Sequence, residues 1–156
     1  MERIITLCCL LCALVGCRQP GSTGKPLPDI ESAYRAMRSI DAALVTGVTF
    51  AEYGSLIRAL NTELLILSDK IKMTPEGTVD PRVVKLLDGY AKVAEKHTKA
   101  HTVWTAEVQK RFGPAADIAR EYNFNTDGVG FEQLRQTIWQ EAQMKTVQVL
   151  AGTYGR

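Results

Sequence analysis

From Asp29 onward, apolar residues recur at alternating spacings of three and four, the repeat of helices that each bury one face. The first such stripe is Ile30, Ala33, Tyr34, Met37, Ile40 and Leu44, with Asp29 as candidate N-cap and Gly47 as its stop. The second follows Thr49-Phe50-Ala51-Glu52, a capping box flanked by Val48 and Tyr53 at the positions of a hydrophobic staple. Its stripe runs Tyr53, Leu56, Ile57, Leu60, Leu64, Leu67 and Ile71 before Thr74-Pro75-Glu76-Gly77 breaks it. Asp80-Pro81, an N-cap followed by proline in the first turn, opens the third. Its stripe is Val83, Leu87, Tyr90, Ala94, His97, His101, Trp104, Val108 and Phe112, which predicts a helix of roughly 45 Å. Gly113-Pro114 ends or kinks it, and a short helical piece follows to about Tyr122. The last stripe is Phe131, Leu134, Ile138, Ala142 and Val149. No segment alternates as a strand does. The pattern predicts an all-α, four-helix-bundle-like domain over 29–156, up-down-up-down, with a long third helix.

The N-terminal pattern is different. Behind Arg3, the stretch from Ile4 to Gly16 is apolar almost throughout. As a helix it would rise roughly 20 Å, short of the roughly 30 Å hydrocarbon core of a bilayer, so an export signal fits better than a membrane span. The stretch ends in Leu14-Val15-Gly16-Cys17. This resembles the lipobox of bacterial lipoproteins, in which a small residue precedes a cysteine that receives lipid and becomes the mature N-terminus. The resemblance implies a signal peptide over 1–16, diacylglycerol and palmitate on Cys17, and a lipid-anchored protein of the bacterial cell envelope. Arg18, where Asp would favour inner-membrane retention, points to the outer membrane facing the periplasm in a Gram-negative cell. Residues 17–28 then form a lipidated tether. Its Arg18–Pro28 part (RQPGSTGKPLP) is rich in proline and glycine and spans at most about 40 Å when extended.

Composition sharpens this picture. The 156 residues are 46% hydrophobic and carry a formal charge of +2, too apolar for a disordered chain and too nearly neutral for a nucleic-acid binder driven by bulk charge. The four cysteines, at 8, 9, 12 and 17, invite a disulfide or zinc reading until their positions are noticed. By the lipobox resemblance, three fall inside the signal and the fourth is the lipidation residue.

Candidate chemistry centres on His97 and His101. At i and i+4 on the apolar side of the third helix, they can present two imidazoles to one metal ion. Zinc or iron would need a further ligand from another helix, for which Asp41 and Glu63 are the candidates. Haem is a further alternative, with Met37, Met73 or Met144 as axial sulfur. The Glu-x-x-His pairs of di-iron bundles and the Cys-x-x-Cys-His of covalent haem attachment are absent. The plainer reading makes both histidines core-edge residues with ordinary hydrogen-bond partners and no cofactor.

Lys85, Lys92, Lys96, Lys99 and Lys110 project from the opposite side of that helix, as a solvated face or as a contact for an anionic surface or an acidic partner. Asn123-Phe124-Asn125-Thr126-Asp127-Gly128 begins like a calcium loop, but Leu134 stands where the bidentate Glu belongs, so turn chemistry is the better reading. No phosphate loop, HExxH, nucleophile elbow or dinucleotide fingerprint appears. The sequence therefore points to a non-catalytic helical interaction module whose partner is another envelope component. A metal- or haem-binding bundle is the alternative, and an envelope enzyme a third. Trp139, Val147 and Leu150, off the main stripe of the last helix, are candidate contact residues.

Overall fold

The computed structural model describes residues 30–75, 77–125 and 130–154. They form five helices: α1 (Glu31–Thr46), α2 (Phe50–Met73), α3 (Pro81–Gln109), α4 (Gly113–Glu121) and α5 (Phe131–Tyr154). The four long ones pack as antiparallel neighbours, and α4 is the short piece expected after Gly113-Pro114. Extensive interfaces join α1 to α2, α2 to α3 and α3 to α5, while α4 leans on α3. None of these helices is long and apolar enough to cross a membrane. The expected signal peptide and tether, with Cys17 and Asp29, lie outside the described residues.

Local chemistry fixes several of the helix ends. The Thr49 hydroxyl accepts a hydrogen bond from the Glu52 N–H at 3.2 Å, and the Asp80 carboxylate accepts one from the Arg82 N–H at 2.8 Å. Each satisfies one of the N–H groups that a first turn leaves unpaired. The α1–α2 connection turns at Gly47, whose φ of 94° suits a residue without a Cβ. Two endpoints differ from expectation. The residue that caps α1 is Ile30, without a side-chain cap bond. At the other end of α3 the chain leaves the helix at Lys110, in the left-handed region with φ 57°, so Phe112 is no longer on the helix. Its ring instead stacks on Phe131 at 5.0 Å, staying 41% exposed.

The long third helix is the hub of the core, and this widens its buried arc. Val83, Tyr90, Ala94 and His97 are buried as their period requires, but so are Leu86, Gly89, Val93, Ala100, Val103 and Ala106. A helix with α2 on one side and α5 on another must bury two stripes. The second is built partly from small residues that let the helices approach. Val108, placed on the apolar stripe by its spacing, is 56% exposed.

Gly89 marks the closest approach. A Cβ there would stand 2.7 and 2.8 Å from the two γ-carbons of Val149 on α5. Gly89→Ala is therefore expected to destabilise the protein by about 1–3 kcal/mol through overpacking, although alanine is intrinsically the better helix former by about 1 kcal/mol. Thermal unfolding of the variant against the parent measures the balance. In α5 the buried row is Leu134, Ile138, Ala142 and Thr146. Thr146 sits in this apolar row by donating its hydroxyl hydrogen to the Ala142 carbonyl at 3.0 Å.

Candidate functional site

The two histidines lie in a cluster of aromatic residues where α2, α3 and α5 meet, but in different settings. His97 is completely buried. Its Nδ1 lies 2.9 Å from the Tyr53 hydroxyl, which is also 3.3 Å from the His97 carbonyl oxygen and accepts the Trp139 indole N–H at 2.7 Å. One proton arrangement satisfies all of these contacts. His97 Nδ1–H and Trp139 Nε1–H both donate to the phenol oxygen, and the phenol O–H donates to the His97 carbonyl. That leaves Nε2, which has no hydrogen-bond partner, as a bare lone pair. The other tautomer would bury an N–H donor there without an acceptor, the more costly defect.

Electrostatics agree with a neutral ring. Burial pushes the His97 imidazole down to about 4, because a proton on Nε2 would carry charge into a site with nothing to receive it. Burial likewise pushes the Tyr53 phenol well above its ordinary value, partly offset by the bond from Trp139 and the charge of Arg135. The network is held in its neutral form.

His101 is half-buried, one turn further along. Its ring stacks on Phe50 with centroids 4.9 Å apart and 6° between planes. It also lies over Gly54, where a Cβ would meet Nε2 at 2.8 Å, so this position of the ring depends on the glycine. Burial, and then the charge of Arg58, lowers its pKa too. Around the pair, Trp104 and Trp139 meet edge to face at 5.8 Å, and Arg135 lies over both rings, 4.6 and 5.2 Å from their centroids. Glu107 holds the guanidinium from α3.

The structure does not bring Asp41 or Glu63 to the histidines. Asp41 has only a long ion pair with Arg38, at 3.9 Å, and its Oδ1 is buried without a hydrogen bond. Burial raises its carboxyl above the usual range, which Arg38 only partly offsets. Glu63 lies half-buried on α2. Among the described residues, no three His, Cys, Asp or Glu side chains are grouped to hold a metal ion. Of the candidate sulfur ligands, Met37 is packed in the α1 core, while Met73 and Met144 are 84% and 58% exposed. Two surface hollows of the bundle, of about 180 and 420 Å³, have neither histidine nor Asp41 nor Glu63 in their lining, and Met73 lines the larger.

The lysine row divides. Lys96 reaches Glu141 on α5 at 2.6 Å and lies over the Tyr122 ring at 5.5 Å. Desolvation alone would lower its pKa, but Glu141 and Tyr122 outweigh that and raise it. Lys99 bridges Glu121 at 2.5 Å and Glu95 at 2.8 Å, which raise its pKa strongly. Both lysines therefore tie α3 to its neighbours. Lys92 pairs with Asp88 at 2.7 Å, and only Lys85 and Lys110 have no ion partner among the described residues.

Of the candidate contact residues, Trp139 and Leu150 pack against the core, and Val147 is 66% exposed beside Met144. Residues 126–129 of the calcium-like loop lie outside the described residues. Compared with models of protein families, with characterised proteins and with solved structures, the chain matches none.

Proposed function

We propose that this protein is a lipid-anchored helical module of the bacterial cell envelope that acts by binding a partner and not by catalysis. The observation that carries the reading is Leu14-Val15-Gly16-Cys17 at the end of an apolar export signal. Arg18 after the cysteine favours the outer membrane, with the domain facing the periplasm. The arrangement around His97 supports a non-catalytic role. Its imidazole is buried and neutral, and its Nδ1 is committed to Tyr53, so it offers no base to a dissolved substrate. On the outside of α5, Met144 and Val147 are exposed apolar residues one turn apart, suited to the centre of a small contact patch. Metabolic labelling with radioactive palmitate in the native host tests the anchor. Label is expected on the protein and lost in Cys17→Ala. Absence of label, or label that persists in the variant, would sink the reading.

A further inference from the structure

Lys85 and Lys145 face the same groove of about 180 Å³, between the first turns of α3 and the last turns of α5. Gly89 and Gly152 belong to its lining, and neither places a side chain in it. The charges around it do not cancel. Its carboxylate, Asp88, is taken by Lys92 at 2.7 Å, which leaves Lys85 and Lys145 without an ion partner among the described residues. Among the described residues, Glu31, Asp69 and Asp80 at this end are also occupied by their own neighbours in sequence, Arg35, Lys72 and Arg82. Glu63 has no such partner, but it lies on α2, which does not line the groove. Two ammonium groups lining one small hollow, with the Gln148 amide beside them, suit a phosphoryl oxygen cluster.

The topology says which source of phosphate lies nearest. The alternation of α1, α2, α3 and α5 puts the start of α1, at Ile30, on the same end of the bundle as the start of α3 and the end of α5. A tether from Cys17 would therefore join the domain at the end that carries the groove, within about 40 Å of the bilayer. We propose that this groove binds the phosphoryl headgroup of an anionic phospholipid and holds the anchored domain with this end toward the membrane. The orientation rests on lipid attachment at Cys17; the headgroup chemistry of the groove does not.

The test uses the full chain as expressed in the native host, purified in maltoside micelles and titrated with phosphatidylglycerol, with bound lipid read by native mass spectrometry. The expected result is retention of phosphatidylglycerol over phosphatidylcholine. A lysine near an anionic headgroup strengthens association about five-fold, so Lys85→Gln with Lys145→Gln should weaken retention on the order of 20-fold. Lys110→Gln with Arg111→Gln removes the same charge from exposed positions at the other end of α3 and should leave retention unchanged. Equal loss in both pairs, or no preference for the anionic lipid, would overturn the proposal. Inorganic phosphate that displaces the lipid at comparable concentration would also overturn it, by making the groove a soluble-anion site. Palmitate labelling of the same samples separates the two readings. Labelled protein without lipid preference removes the groove alone. Unlabelled protein with intact, lysine-dependent preference removes the anchor and the orientation, and supports the groove.

Discussion

Tyr53→Phe is expected to lower the unfolding free energy by about 2–4 kcal/mol while leaving the packing of the ring in place, because two donors lose one shared acceptor. The Tyr53 oxygen receives the Trp139 indole N–H at 2.7 Å and lies 2.9 Å from His97 Nδ1. Both groups sit in the interior or at its edge, where water does not readily replace the lost hydroxyl. The alternative is that the phenol merely fills space, in which case the change would be close to neutral. A double-mutant cycle separates them. With His97→Phe already present, only the indole is orphaned, so Tyr53→Phe should then cost about 1–2 kcal/mol less than in the parent. Equal costs in both backgrounds, by urea unfolding followed through helical circular dichroism, would show that the hydroxyl and the imidazole do not communicate.

Much of this fold was legible because the signals that make helices are local. Thr49 and Asp80 cap their helices from within a few residues, and Gly47 turns the chain from α1 into α2. The burial of His97 was legible too, from its place in the stripe. Its partners were not. Tyr53 and Trp139 stand 44 and 42 residues away along the chain, on separate helices, and nothing in one helix's period sets its register against another. That register comes from close fits such as Gly54 under His101 and Gly89 against Val149, where the informative feature is a missing Cβ. Counting large apolar residues cannot see it.

The lysine row divides for a related reason. One stripe on α3 implied one solvated face, yet α4 and α5 cover part of it. They supply Glu121 and Glu141 to Lys99 and Lys96, so these cations join helices. Lys85, at the end that α4 does not reach, has no ion partner among the described residues. Asp41 and Glu63 are candidate ligands by their projection on their own helices, and projection carries no information about which end of the histidine pair a second helix will meet.

Acidification between pH 6.5 and 4 is expected to destabilise the protein through His97 in particular. In the unfolded chain this imidazole titrates near its ordinary value of 6.5, whereas in the folded protein burial holds it at about 4. Between those values the unfolded state binds the extra proton, so stability rises with pH across this window and falls as the medium is acidified. The preference for the neutral folded ring is fully expressed above pH 6.5. It diminishes to about 2 kcal/mol less stability at pH 5 and about 3 kcal/mol less at pH 4. Carboxylates held in ion pairs, such as Asp80 and Glu95, have pKa values lowered from 3.8 and 4.5, so their contribution starts to be lost only at the acidic edge of this window. His101, also lowered, adds to the loss with the same sign. The part owed to His97 is isolated by His97→Phe, which keeps an aromatic ring in the site and removes the titration. Its unfolding free energy should fall less steeply from pH 7 to pH 4.5 than that of the parent, whatever its value at pH 7. Parallel curves would mean that His97 accepts its proton in the folded state, with Nε2 reaching water or an acceptor. The neutral Tyr53–His97–Trp139 network would then be wrong at its centre.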